Sequence, residues 1–551
     1  MGKNWLVVVD AYSKYPCIHA SGTASSSPPN IIFILADDLG WDDVSFHGSK
    51  QVPTPNLDAL AADGIILGNY YVQPLCSPSR GSLLTGKHPV QIGLQHFVIT
   101  PSEPAGLSLN ETLLPEYLNS VGYKSYMVGK WHLGMYAEQY TPVYRGFESH
   151  YGYYHGREDY LDHTNEALIG PSEIGLDFWR NGQADRTGFG QYSTELFTAE
   201  AERLVAKHDK KHPMFMYFAQ QAVHAGNQGS KNRLFAPWKY TSKFYYIQNE
   251  NRVKLAGMIS ALDDSVGNLT KALHANGMLN NTIIVFSTDN GAPHQGDKDF
   301  TTGSNFPLRG SKDTVWEGGM RGAGFVWSPL LKKSGYVSNH MMQIADWLPT
   351  LLEASGYDMN SLPKNLYGVS QWKALSQNSA SARDTMLHNF DQLGHDWALR
   401  VGDMKLISGK GPTWKNSGWY RPYSVDIDSP PMNKTNENEA PTELFESDVG
   451  SILQNIGRGK AGARPLVVGC GPIPHDVMTN CAVDEKPCLF NVTADPCEYH
   501  NLADRYPGMV EKLKAKLEDY KKMSIKPINE PSDPAAYPSK HGGVWVPWVK
   551  L

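Results

Sequence analysis

The segment of this chain best placed to do chemistry is Cys76-Ser-Pro-Ser-Arg-Gly-Ser-Leu-Leu-Thr-Gly86, with Arg80 four residues after the cysteine. A thiol at the start of a helix meets unpaired backbone N–H groups and the positive end of the helix dipole, a natural seat for an anion. Two polar pairs, Asp37-Asp38 and Asp289-Asn290, each follow an apolar run of strand length. Together they offer hard oxygen ligands of the kind that calcium or magnesium takes. Val128-Gly-Lys-Trp-His-Leu-Gly134 sets Lys130 and His132 two apart, on the same side of an extended segment. A lysine there could neutralise an anion, and a histidine could move a proton. His224 follows a further apolar run, and Lys312 stands just ahead of Trp316-Glu-Gly-Gly. Taken singly, such residues are more often turn caps, buried structural cysteines or solvated lysines.

Taken together they resemble the sulfatases. The stretch Cys76 to Gly86 resembles the signature of that family, Cys-x-Pro-Ser-Arg followed by Leu-Thr-Gly. The flanks Leu35-Ala-Asp-Asp-Leu-Gly-Trp41 and Ser287-Thr-Asp-Asn-Gly291 look like its metal motifs, and Leu489-Phe-Asn-Val-Thr-Ala-Asp-Pro-Cys-Glu-Tyr-His-Asn-Leu502 like its C-terminal hallmark. The likeness runs from about Asn30 to Arg505. Its branch features, Asn69-Tyr-Tyr-Val-Gln-Pro-Leu-Cys76 and Ile92-Gly-Leu-Gln-His96, are closest to the arylsulfatase B, or N-acetylgalactosamine-4-sulfatase, branch. One departure is Gly226-Asn-Gln-Gly229, where the family usually has prolines after the strand-end histidine.

The resemblance implies a sulfuric ester hydrolase in which Cys76 is oxidised to formylglycine by a formylglycine-generating enzyme. The hydrated aldehyde would offer one oxygen to attack sulfur and another to expel sulfate later, splitting one hard step into two. It implies one calcium ion on Asp37, Asp38, Asp289, Asn290 and the residue made from Cys76. Arg80 would hold the hydrate, Lys130 and Lys312 the sulfate, His224 would protonate the leaving oxygen, and His132 would take a hydrate proton. The implied substrate is a sulfated carbohydrate or another small sulfate ester, with Gln91, His96 and Trp316 as candidates for the pocket wall. A phosphoester hydrolase of the same superfold would place Ser or Thr at the nucleophile. A noncatalytic relative would be expected to lose some of these residues.

These side chains need a scaffold that brings distant segments together. Asn30-Ile-Ile-Phe-Ile-Leu-Ala36, Met214 to Ala219 and Thr282 to Thr288 are continuous apolar runs, as in strands buried on both faces of a parallel sheet. Helical patterns at 54–64, 113–120 and 252–275 alternate with them. The expectation is an α/β fold with a large, mostly parallel sheet flanked by helices, alkaline-phosphatase-like by resemblance. Past Asp384, a hairpin over 397–408 turning at Gly402-Asp403, a short strand at Cys488 and a helix over 509–523 predict a smaller domain of antiparallel sheet plus helix. The expected division is a catalytic domain over 30–384 and a C-terminal domain over 385–551, with 416–450 as a surface loop. Residues 1–29 read as a leader that is not a domain. It resembles the first strand of a retroelement integrase core, with Asp10 at the first acidic position, and one carboxylate cannot build a two-metal site.

Composition narrows the class. A hydrophobic share of 41% with 19% charged residues fits an ordinary soluble globular protein, and a net charge of −6 without a basic stripe argues against nucleic acid. No apolar run is long enough to span a membrane. Cys470, Cys481, Cys488 and Cys497 cluster near the C-terminus, with no CxxC or histidine spacing for zinc. They predict two local disulfides of open pairing and an oxidising compartment. Sequons at Asn110, Asn268, Asn280, Asn433 and Asn491 agree with a lysosomal or secreted protein, although the leader carries no secretory signal pattern.

Overall fold

A computed structural model describes residues 27–170, 172–294, 301–411, 416–420, 446–459 and 462–551. Asp10, Cys17, Asn433 and most of the 416–450 segment lie outside the described residues.

The apolar runs become the centre of a ten-stranded sheet. Every residue of Asn30–Ala36 is buried, as continuous hydrophobicity on both strand faces requires. This strand pairs in parallel with Thr282–Thr288 on one side and Met214–Ala219 on the other. Lys124–Lys130 and then Ser149–Tyr153 extend the parallel set. Gly324–Trp327 joins antiparallel beyond Thr282–Thr288, so the sheet is mixed. Helices Ser193–Lys207 and Glu250–Ala275 pack together against it; the second starts where the Asn249 side chain accepts from Arg252 N. Among the described residues no helix is long and apolar enough to cross a membrane.

Register places the ends of these strands side by side. Ala36 lies opposite Thr288, so Asp37 and Asp289 leave the sheet at one level. Ala219 lies opposite Gly129, one residue before Lys130. Gly129 has φ +100°, and a Cβ there would stand 1.8 Å from the Ala219 carbonyl oxygen. Only glycine lets the two strands close at this point.

The smaller sheet runs Thr385–Phe390, Trp397–Val401, Met404–Ser408, Cys488–Asn491, antiparallel throughout. Its side chains alternate, as strand geometry demands. Leu387, Leu399, Leu406 and Leu489 face helix Pro507–Lys522 through Leu513 and Leu517. Met386, Ala398, Ile407 and Phe490 face the large domain through Tyr71, Trp316 and Met320. At that seam Lys405 pairs with Glu317 at 3.0 Å and Glu498 at 2.9 Å, all three fully buried. Disulfides Cys470–Cys497 and Cys481–Cys488 close the adjoining loops.

Two later segments return to the large domain. Helix Asp448–Asn455 packs on helices Pro55–Asp63 and Glu250–Ala275. The C-terminal stretch lays Ile528 against Gly93 and buries Trp545, whose indole donates to the Asn165 carbonyl at 2.9 Å.

Candidate active site

Open parallel sheets bind ligands beyond the carboxyl ends of their strands, and the polar pairs sit there. Asp37 and Asp38 follow Asn30–Ala36, Asp289 and Asn290 follow Thr282–Thr288, Lys130 ends its strand, and His224 follows Met214–Ala219. Facing them is helix Cys76–Thr85, every residue of it buried. Cys76 is its first residue and Arg80 lies one turn on, on the same face.

The ten residues singled out in the sequence converge. Lys130 Nζ lies 2.6 Å from Asp37 Oδ2. Arg80 donates to Asp289 Oδ2 through Nη2 at 2.8 Å and Nε at 3.2 Å, and to the Lys130 carbonyl at 3.0 Å. Lys312 Nζ lies 2.8 Å from Asp38 Oδ1 and 3.3 Å from His224 Nε2. The Asn290 amide donates to Asp38 Oδ1 at 2.6 Å, and the Cys76 thiol lies 3.7 Å from Asp37 Oδ1. None of these side chains is more than 4% exposed.

Burial sets their electrostatics. Removal from water, reinforced by Asp289, raises the Asp37 carboxyl despite Lys130 and Arg80. Burial also opposes ionisation at Asp289, but Arg80 and Lys130 outweigh it and hold this carboxyl below the usual range. The Cys76 thiol is pushed far up by burial against the pull of Lys130 and Lys312. A thiol so held stays protonated and is a poor nucleophile.

Hydrogen bonds fix the histidine tautomers. His132 Nε2 lies 3.0 Å from the Ile99 carbonyl, which only accepts, so Nε2 carries the proton. Nδ1 is buried without a partner among the described residues and is left as a bare lone pair. Burial and then the neighbouring Lys130 and Arg80 hold the ring neutral. His224 Nδ1 lies 2.6 Å from the Ala225 carbonyl, so its Nε2 accepts from Lys312.

A cavity opens over Cys76, His132, His224 and Lys312, walled by Phe97, Ile99, Arg157 and Asn165. A second cavity shares Leu75, Phe97 and Asp313 with it and contains His96. The other two wall candidates are elsewhere. Trp316 is fully buried under Arg309 and Phe490 at the domain seam. Gln91 caps a short helix with His88, binds the Asn365 carbonyl and lines a separate surface depression. Sequence proximity to a motif misplaced them, since each turns away within a few residues. The strand also ends at Lys130, and His132 takes a left-handed φ of +60°, so the pair does not share one extended face. Phe97, Arg157 and Asn165 went unread because no local pattern marks a cavity wall built from loops.

A family model described as Sulfatase matches residues 29–357. The chain belongs to the sulfatase family. It is 39% identical over 551 residues to mouse (Mus musculus) arylsulfatase J, covering 96% of this chain and 82% of that protein. It is 34% identical to human (Homo sapiens) N-acetylgalactosamine-6-sulfatase, over 72% of this chain and 74% of that protein. The crystal structure of Ps i-CgsB in complex with k-i-k-neocarrahexaose superposes with a TM-score of 0.67 at 26% identity, covering 91% of this chain and 94% of that chain. As a sulfatase this protein is a sulfuric ester hydrolase with the alkaline-phosphatase-like fold and a small C-terminal antiparallel sheet.

Proposed function

We propose that this sulfatase acts through a formylglycine made from Cys76 and one bound calcium ion, on a sulfated sugar such as N-acetylgalactosamine 4-sulfate or a related ester. The observation that carries this reading is the buried, un-ionised Cys76 thiol at a helix N-terminus, 3.7 Å from Asp37 and ringed by compensated charges. As a thiol it has little use there; as a hydrated aldehyde it would supply both the attacking oxygen and the means of releasing sulfate.

The donor set fits a divalent ion. Asp37, Asp38, His224 and Cys76 offer ligand atoms within 4.8 Å of one another, and Asn290 Oδ1 is a buried acceptor without a hydrogen bond among the described residues. Asp37, Asp38, Asp289 and Asn290 would hold the ion, which when bound supplies positive charge to a sulfate oxygen. Its charge would also oppose the burial and the Asp289 repulsion that raise Asp37. Three carboxylates balance Arg80, Lys130 and Lys312, so a dication and the single negative charge of a sulfate ester leave the buried site with one net positive charge, which favours an anionic nucleophile.

The remaining roles follow from the side chains. Arg80 locks Asp289 and the Lys130 carbonyl, fixing the floor. Lys130 and Lys312 stabilise charge on the sulfate as it develops. The lone pair of His132 Nδ1 accepts a proton from the hydrated residue. His224 receives a proton from Lys312 on Nε2 and passes it to the leaving oxygen. The two disulfides support maturation in an oxidising, secretory or lysosomal compartment with a formylglycine-generating enzyme as transient partner. A sugar substrate draws support from the N-acetylgalactosamine-6-sulfatase relative and the oligosaccharide bound to Ps i-CgsB. The test is the mass of the peptide containing Cys76 in active enzyme. It should be about 18 Da below the thiol form, whereas thiol oxidation adds oxygen mass. Full activity with only free thiol would overturn the mechanism.

A further inference from the structure

The cavity beside the nucleophile contains a histidine–carboxylate pair to which the chemistry above gives no task. His96 Nδ1 lies 2.9 Å and 3.1 Å from the two oxygens of Asp391. The carboxylate is only 8% exposed, and its loop fixes it. Leu393 N donates to Oδ1 at 2.9 Å, Asp391 N donates to the Asp396 carbonyl, and a Cβ on Gly394 would stand 2.2 Å from Oδ2. With Nδ1–H committed to Asp391, the ring is oriented and His96 Nε2 has no protein partner among the described residues. Gln95 lines the same cavity, is 2% exposed, and has an Oε1 without a hydrogen bond. Buried acceptors of this kind are costly unless a ligand or water satisfies them. Half-buried Phe97 lines both cavities and offers an apolar face between them.

We propose that this second cavity is the leaving-group subsite, in which Phe97 supports a neutral sugar ring while His96, oriented by Asp391, and Gln95 hydrogen-bond its hydroxyls. This rests on the sulfatase reading of Cys76 and adds to it a specificity residue, His96, and a positioning residue, Asp391. Oriented polar groups over an apolar surface suit a ring that is hydrophobic on its face and hydroxylated at its edge. A flat aryl ester could occupy the first cavity alone and would not need the pair.

The experiment compares wild type, His96→Gln, Asp391→Asn and the double variant on N-acetylgalactosamine 4-sulfate, the 6-sulfate and a simple aryl sulfate. The ratio of kcat/KM for the preferred sugar to that for the aryl ester should fall at least about tenfold in each single variant, chiefly through KM. The double variant should lose little more than His96→Gln, because Asp391 acts through His96. Equal losses on sugar and aryl esters would mean a structural role and overturn the proposal, as would an unchanged ratio. Binding of unsulfated N-acetylgalactosamine, followed by ligand-detected NMR, tests the cavity without turnover. It should be present in wild type and lost in both single variants, whose folding is checked by melting temperature. No binding to folded wild type sinks the subsite even where aryl sulfate hydrolysis stands. Absence of all hydrolysis would sink the catalytic reading and leave the sugar-binding result to decide this one.

Discussion

Replacing Lys405 by methionine removes one ammonium from between two carboxylates while nearly preserving volume. In the native protein Lys405 lies 3.0 Å from Glu317 and 2.9 Å from Glu498, with no exposure at any of the three. Glu317 keeps the Tyr71 hydroxyl at 2.7 Å, and Glu498 keeps the Glu317 backbone N–H at 2.9 Å. Neither substitutes for a cation, Arg321 reaches Glu317 only at 3.9 Å and leaves Glu498 unpaired, and stripping one partner from a buried pair costs about 3–5 kcal/mol. For a chain of this size that lowers the melting temperature by roughly 3–4 °C. The loss has a pH signature. Burial raises Glu498 to about 7, against Lys405. A carboxyl raised on folding contributes stability that is complete below its unfolded value, about 4.5, and is lost as pH rises through the folded value. In the wild type that loss ends near 7; without Lys405 the folded value moves higher, and the loss continues into alkali. Glu317 is lowered on folding, chiefly by Lys405 against burial, so its contribution is present above about 4.5 and lost in acid; removing Lys405 therefore also costs most at high pH. The deficit in Lys405→Met should therefore be smallest in acid and grow between pH 6 and pH 9. Scanning calorimetry of both proteins at those pH values and matched ionic strength measures it. An equal shift at both, or one under about 2 °C, would refute the reasoning.

Other substitutions test other parts of the account. Gly129→Ala, which drives a Cβ to 1.8 Å from the Ala219 carbonyl at φ +100°, should abolish soluble expression or lower the melting temperature more than any surface change. His132→Gln should reduce kcat on an aryl sulfate about 10²–10⁴-fold with KM little changed, because it removes the Nδ1 lone pair; a fall confined to KM would reject the proton-transfer role. Asp289→Asn should abolish turnover and weaken calcium retention measured by elemental analysis, since it uncouples Arg80 and removes a ligand charge; retained calcium and activity would reject the ligand set. Trp545→Ala should destabilise by about 3–5 kcal/mol and raise KM for the aryl ester through Asn165; an unchanged KM would separate the C-terminal stretch from the cavity wall.

The parts of this molecule that were legible beforehand are those in which chemistry and local pattern coincide. Ile31 to Ala36, Met214 to Ala219 and Ile283 to Phe286 are apolar at every position, and each lies in a central strand. Because parallel strands end at one edge, polar residues directly after such runs had to meet, and Asp37, Asp289 and His224 do. The hairpin at Gly402 carried its own turn signal. What could not be read was distance between loops. His96 was visible as a candidate, but its partner Asp391 is 295 residues away with no motif around it. Trp316 lies four residues after Lys312 and still points into the seam, since a turn reverses the chain between them.

Cys76 is 2% exposed at the root of a cleft whose other walls arrive late in translation. Arg80 leaves the ribosome with it, but Asp289 and Lys312 follow more than 200 residues afterwards, and Trp545 comes almost last. At about 5–20 residues per second, this separation leaves an interval on the order of 10–50 s in which the thiol exists on nascent chain and its cage does not. An enzyme that modifies the side chain meets it unburied only within that interval, because in the folded chain it is 2% exposed. Under the proposed conversion of Cys76, elongation rate becomes a determinant of specific activity. Synonymous codons that slow the stretch between residues 76 and 289 should raise the fraction of chains converted, without altering a single atom of the finished molecule.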